Sequence, residues 1–295
     1  MGELDPYRLR VRPDCFGADP LADTLPPQLD FGEGVPVLID LSEVQFVHPS
    51  GLGFVFALAF TLVRLGRKVD LREPTAPDQR DYLRRTNFWG VLEEQGFDIA
   101  PELRGYNLGR AGGLIEPSIV RTTASTRENV ETSIILYERL QRALTRAGLA
   151  GRDRVASVFS ELSLNAAEHS RSPRGAFVMA QAYPNRHEIE ITVADVGVGI
   201  RSSLGEANYP THAAAVVAAM QEQVTGRRDA GGNPAEGGYG LPMVAEEADY
   251  LAIRTGDALL DSGYARNERS ELILNAREVT PLDGTLVVAT VSTQR

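Results

Sequence analysis

The chain has 295 residues, 43% hydrophobic and 24% charged, and a formal net charge of −10. Its length favours two domains, each large enough for its own core. The acidic balance argues against a nucleic-acid partner, which calls for a basic stripe; here the basic residues fall singly or in pairs such as Arg84-Arg85 and Arg227-Arg228. The single cysteine, Cys15, excludes an internal disulfide and a cysteine zinc site, and it fits a reducing compartment. The opening residues lack the apolar stretch of a signal peptide, and the longest apolar run, Leu52 to Val63, is too short to span a bilayer. The expectation is a soluble cytoplasmic protein with no membrane and no nucleic-acid partner.

In chain order, a Pro-rich entry (Pro20, Pro26, Pro27) precedes Val35 to Leu41, which reads as a buried strand closing on Asp40. Val44 to Val47 reads as a second short strand, followed by His48-Pro49-Ser50-Gly51-Leu52-Gly53. Ser50 is placed to cap the next helix, since its hydroxyl can accept an orphan N–H of the first turn. That helix is apolar nearly all round (Phe54, Val55, Phe56, Leu58, Phe60, Leu62, Val63), so it should be covered on most sides, and Gly66 stops it. A strand at Val69 to Leu71 and a helix at Asp78 to Thr86 follow, which implies a right-handed parallel crossover.

The stretch from Val37 to Phe60 resembles the STAS domain of anti-sigma-factor antagonists. In that family a strand ending in Asp-Leu leads to Asp-Ser-Ser-Gly-Leu-Gly at a helix N-terminus, and the first serine is the phosphorylation switch. This chain has His48 in place of the Asp and Pro49 in place of that serine, and Ser50 matches only the second serine. A proline has no hydroxyl, so phosphorylation at the matching position is excluded. The resemblance implies a STAS-like unit kept as a docking scaffold.

Phe97 to Ala124 lacks periodicity and is rich in Gly, Pro and Arg. The expected organisation is therefore a STAS-like domain at 1–100, a linker at 101–124, and a second domain at 125–295. Ser125-Thr-Arg-Glu128 has the capping-box pattern, and Val130, Ile134, Tyr137, Leu140 and Leu144 form one stripe, predicting a long amphipathic helix from Ser125 to Ala147. Asp153 can cap the next helix, with an apolar face of Val155, Val158, Phe159, Leu162 and Ala166. Glu161, Asn165 and His169 fall four apart, on one face of it. Such a line is either a solvated stripe or the wall of a pocket.

Ala176 to Tyr183 and His187 to Ala194 read as strands joined through Pro184-Asn185-Arg186. In the second, Ile189, Ile191 and Val193 alternate with Glu188, Glu190 and Thr192, as in a half-buried antiparallel strand. It delivers Asp195 to its end, followed by Gly197, Gly199 and Ile200. This is either an ordinary turn or a carboxylate aimed at the exocyclic amine of adenine, with Gly199 allowing the backbone to approach the ring. Leu241 to Glu247 reads as a helix behind Gly237-Gly238-Tyr239-Gly240, either a plain loop and helix or an anion site at a helix start. Between them, 201–236 reads as a lid with a helical stretch from Thr211 to Gln223. Within it, Thr225 and Arg227 are suited to a γ-phosphate.

In this order, the three strings resemble the GHKL ATPases, which include DNA gyrase, heat-shock chaperones, mismatch-repair ATPases and histidine-kinase ATPase domains; the resemblance covers about 125–295. The Glu161-x-x-x-Asn165 string matches the N-box, Asp195-x-Gly197-x-Gly199 the adenine box, and Gly237-x-x-Gly240-Leu241 the last glycine box. It implies ATP and Mg²⁺ as cofactors, with Asn165 the metal ligand, Glu161 the candidate general base and Asp195 the adenine reader. Leu286 to Val291, after Gly284-Thr285, resembles the closing strand. Within the group the chain is most similar to anti-sigma-factor serine kinases and stand-alone histidine-kinase-like ATPases.

Together the two resemblances imply an α/β protein, a STAS-like domain followed by a GHKL-type α/β sandwich. They imply an ATP-binding signalling protein whose lid closes on Mg·ATP and controls a protein partner, as a slow ATPase or a serine/threonine kinase using Glu161. The alternative is a non-catalytic nucleotide sensor or scaffold acting through its STAS-like domain. Ser125 to Ala147 contains no histidine, so a self-contained histidine kinase is not expected. Both families often dimerise, and the resemblance admits a homodimer.

Overall fold

A computed structural model describes residues 5–11, 25–29, 31–32, 34–103, 114–121, 126–149, 152–224, 239–262 and 273–294. Ser125, Thr225, Arg227, Gly237 and Gly238 lie outside the described residues, as do the side chains of Glu128 and Val130. The protein is α/β, and its described residues form two sheets. The first is parallel, in the order β1 (Tyr7–Arg10), β2 (Val37–Asp40), β3 (Val69–Arg72). Helix α1 (Pro49–Arg64) connects β2 to β3, and α2 (Pro77–Arg85) and α3 (Phe88–Glu94) follow.

Two expectations for this region are corrected. Val44 to Val47 is a loop, not a strand: the Val44 N–H turns back to the Leu41 carbonyl, and the Val47 N–H is taken by Gln79 Oε1. Both valines are buried, which explains their strand-like look in sequence. Ser50 does not cap α1. The helix begins one residue earlier, at Pro49, because proline at the first helical position has the right φ and lacks only an N–H that would be orphaned anyway.

The second sheet is antiparallel and has the order β4-β5-β6-β8-β7. Its strands are β4 (Leu114–Val120), β5 (Ala176–Tyr183), β6 (Glu188–Asp195), β7 (Tyr250–Asp261) and β8 (Asn275–Ser292). Strand β4 corrects the expected 101–124 linker. Pro117 hides it in sequence; the strand lies at the sheet edge, where proline is tolerated, and its register with β5 breaks between Ile115 and Ser118. Helices α4 (Thr126–Ala147) and α5 (Arg152–His169) cover one face. Leu140, Leu144, Val155, Phe159 and Leu162 pack there against Val178, Ile191 and Val193. The core stripe of α4 is rotated from the expected one: Leu136, Leu140, Ala143 and Leu144 are buried, while Ile134 and Tyr137 are exposed.

The other face of this sheet is covered by α1. Phe54 and Phe56 share one apolar cluster with Phe177, Ala194, Leu286 and Val288, and Phe56 lies 5.4 Å from Phe177, ring to ring. Gly53 makes this approach close, since a Cβ there would sit 2.5 Å from Thr192 Cγ2. The half-buried reading of β6 is therefore corrected: Glu190 and Thr192 are buried at 7% and 0% exposure. Glu190 keeps its carboxylate satisfied through His48 Nδ1 and the Ser50 N–H, each at 2.9 Å. Arg254 adds a cation–π contact to Phe54 at 5.4 Å. The N-terminal unit is thus a layer on the sheet. Among the described residues no helix is long and apolar enough to cross a membrane.

Candidate functional site

On the α4–α5 side of the sheet lies a cavity of about 310 Å³. Its wall is α5, where the four-residue spacing stacks Glu161, Asn165 and His169, all three lining the cavity. Ser163, facing away, is buried. Leu162, Ala166, Val193, Leu204 and Val287 make the adjoining surface apolar.

Asp195 stands at the C-terminal end of β6, lines the cavity and is 4% exposed. The Gly197 N–H donates to its Oδ1 at 2.8 Å. Burial raises the Asp195 carboxyl to about 7, against the hydrogen bonds from the Gly197 and Thr285 backbones, which favour the charged form. His169 is held below its ordinary value by burial; Glu161 opposes this and Arg171 adds to it.

The chain leaves Asp195 through a turn that needs its glycines. A Cβ on Gly197 would lie 1.7 Å from the Ser170 carbonyl oxygen, which accepts the Val198 N–H at 2.9 Å. Gly199 has φ +72° and opens the short helix α6 (Gly199–Leu204). Gly199 and Ile200 line the cavity, whereas Gly197 faces a second groove behind the turn. Helix α7 (His212–Ala219) follows, capped by the Thr211 hydroxyl; it is shorter than the Thr211 to Gln223 stretch expected from sequence.

The opposite wall is the start of α8 (Gly240–Glu247). A Cβ on Gly240 would lie 1.7 Å from Glu161 Oε1 and 3.1 Å from Asn165 Nδ2, so any larger residue there would displace the Glu161 carboxylate from its place on α5. Leu241 and Tyr239 also line the cavity.

Of the residues singled out in sequence, Glu161, Asn165, Asp195, Gly199, Ile200, Gly240 and Leu241 therefore surround one cavity. Gly197 shapes it from behind. Thr225, Gly237 and Gly238 lie outside the described residues. Sequence reasoning passed over Ser170, which acts through a backbone carbonyl that no motif marks, and Thr285, whose backbone N–H reaches Asp195. The Gly284-Thr285 pair was its only signal: a Cβ on Gly284 would lie 2.0 Å from the Asp195 carbonyl oxygen. No protein-family model matches the sequence, and no curated protein matches it.

Chemically, this is an apolar cleft with one buried carboxyl at its end and an amide, a carboxylate and a helix start at its mouth. Such a site suits a flat ring bearing an N–H donor, joined to an anionic tail.

Proposed function

We propose that the protein binds Mg·ATP in this cavity and acts as a nucleotide-controlled signalling protein of the GHKL type. The observation that carries the reading is the convergence of Glu161, Asn165, Asp195 and Gly240 on one cavity, from three separate parts of the chain. Its volume lies at the lower end of the roughly 300–1,000 Å³ usual for ligand sites. The adenine ring would lie against Val193, Ile200 and Val287 with its amine donating to Asp195. The phosphates would run toward α8, where Gly240 and Leu241 carry first-turn N–H groups without helical partners; Pro242 has none.

The residues fit magnesium delivered with the nucleotide. Among the described residues no group of three or more His, Cys, Asp or Glu gathers to hold a metal. A magnesium ion here would take the Asn165 carbonyl oxygen, phosphate oxygens and water, the ligand mix such ions accept. It would supply charge neutralisation on the phosphates. Glu161, one turn before Asn165, is placed to orient and deprotonate an attacking water or serine hydroxyl. That makes ATP hydrolysis or serine/threonine phosphorylation the candidate activity.

For the N-terminal STAS-like unit we propose a docking role that does not use Ser50 as a phosphoacceptor. Ser50 is 1% exposed, and its N–H is engaged by Glu190. The alternative reading is a nucleotide sensor or scaffold without catalysis, acting through the STAS-like unit. Calorimetry of Mg·ATP binding to wild type, Asp195→Ala and Glu161→Ala, with phosphate release and intact mass, tests the proposal. Binding lost in the first variant and turnover alone lost in the second is the expected pattern; equal turnover in Glu161→Ala removes the enzymatic reading.

A further inference from the structure

We infer that Thr255 is a positioning residue for the adenine-facing turn, and that its hydroxyl sets how selectively the cavity accepts adenine over guanine. This rests on the nucleotide reading above but concerns a residue outside all three sequence strings. Thr255 is 1% exposed near the middle of β7. Its Oγ1 accepts the Ile200 N–H at 3.1 Å and donates to the Gly284 carbonyl at 3.0 Å. One hydroxyl thereby ties the first turn of α6 to Gly284, inside β8.

The register shows why the hydroxyl lands there. Thr255 pairs with Thr285, and Thr285 pairs in turn with Asp195, so three adjacent strands come level at the base of the cavity. The β7–β8 register breaks immediately after Thr255, at Gly256, whose φ is +56°. A break of this kind re-aims the neighbouring side chains. A Cβ on Gly199 would lie 3.0 Å from Thr255 Oγ1 and 3.3 Å from the Gly284 oxygen, so the turn is seated directly on this bridge. On its other side the turn is held by the Ser170 carbonyl through Val198. Ser170 and Thr255 thus grip the segment from opposite sides. Gly199 and Ile200, which face the bound ring, have their distance from Asp195 fixed by that grip.

Thr255→Val keeps the shape of the side chain and removes both hydrogen bonds, while Thr255→Ser keeps the hydroxyl. Affinities for Mg·ATP, Mg·GTP and inorganic tripolyphosphate are measured for each, together with amide hydrogen exchange of 196–200 in the nucleotide-free protein. The valine variant is expected to lose about tenfold in ATP affinity, while tripolyphosphate stays within about twofold of wild type. Its preference for ATP over GTP should shrink, exchange at 196–200 should rise, and the serine variant should recover each value. A valine variant that binds ATP as wild type does, or that weakens ATP and tripolyphosphate equally, overturns the inference. Should Thr255→Val fail to fold, a serine variant that loses the ATP preference also overturns it. Wild type that binds no nucleotide sinks the ATP reading instead. The exchange measurement then still decides whether Thr255 holds the turn.

Discussion

Asp195→Asn should uncouple stability from pH in a way that reports directly on the buried carboxyl. In the folded protein burial raises Asp195 from its ordinary 3.8 to about 7. Between those values the folded chain keeps a proton that the unfolded chain has lost. The stabilisation from this group is therefore complete below 3.8, declines as pH rises, and is gone above about 7. A tenfold difference in proton affinity corresponds to about 1.4 kcal/mol, so the full span amounts to about 4 kcal/mol, of which about 3 falls between roughly pH 5 and pH 8. Water entering the open cavity trims this, which makes it a ceiling. Asparagine cannot ionise. Its stability relative to wild type should climb from about pH 5 and level off above about pH 7, with a constant offset of about 1 kcal/mol for the acceptor lost to a backbone N–H. Urea denaturation of both proteins at several pH values measures the difference. A difference that stays flat across the window would refute the claim that burial of Asp195 outweighs its hydrogen bonds from Gly197 and Thr285.

Three further outcomes are expected. Gly240→Ala places a methyl 1.7 Å from Glu161 Oε1, so calorimetry should find Mg·ATP affinity reduced by about tenfold or more, with a melting temperature close to wild type. Glu161→Ala should bind Mg·ATP within about threefold of wild type and lose phosphate release or phosphotransfer in a coupled assay, since a group acting only in the transition state contributes little to ground-state binding. Glu190→Ala removes a buried acceptor from both His48 and the Ser50 N–H; denaturation should show a loss of about 2–3 kcal/mol, and hydrogen exchange at the start of α1 should rise.

What could be read from the sequence follows from how local each feature is. Helix α5 was legible from its one packed face and strand β6 from the alternation of Ile189, Ile191 and Val193, and Asp195 falls at the predicted strand end. The spacing of Glu161, Asn165 and His169 placed them on one face, and the structure lines a cavity with that face. Long-range packing was not legible. The Glu188-Glu190-Thr192 series looked solvent-facing because nothing in β6 itself reveals that α1 covers it. The rotated stripe of α4 has the same origin: Ile134 and Leu136 are equally apolar, and only tertiary contacts choose between them. Strand β4 was hidden by Pro117, whose edge position is a property of the finished sheet. Thr255 carried no motif because its role depends on Gly284 and Ile200, which lie far from it in sequence.

Titration of the purified chain with Mg·ATP, followed by calorimetry, tests the central claim most directly. Saturable binding that Asp195→Ala abolishes, and that GTP does not match, is the result the cavity predicts. A wild-type chain that takes up no adenine nucleotide even at millimolar concentration would contradict it.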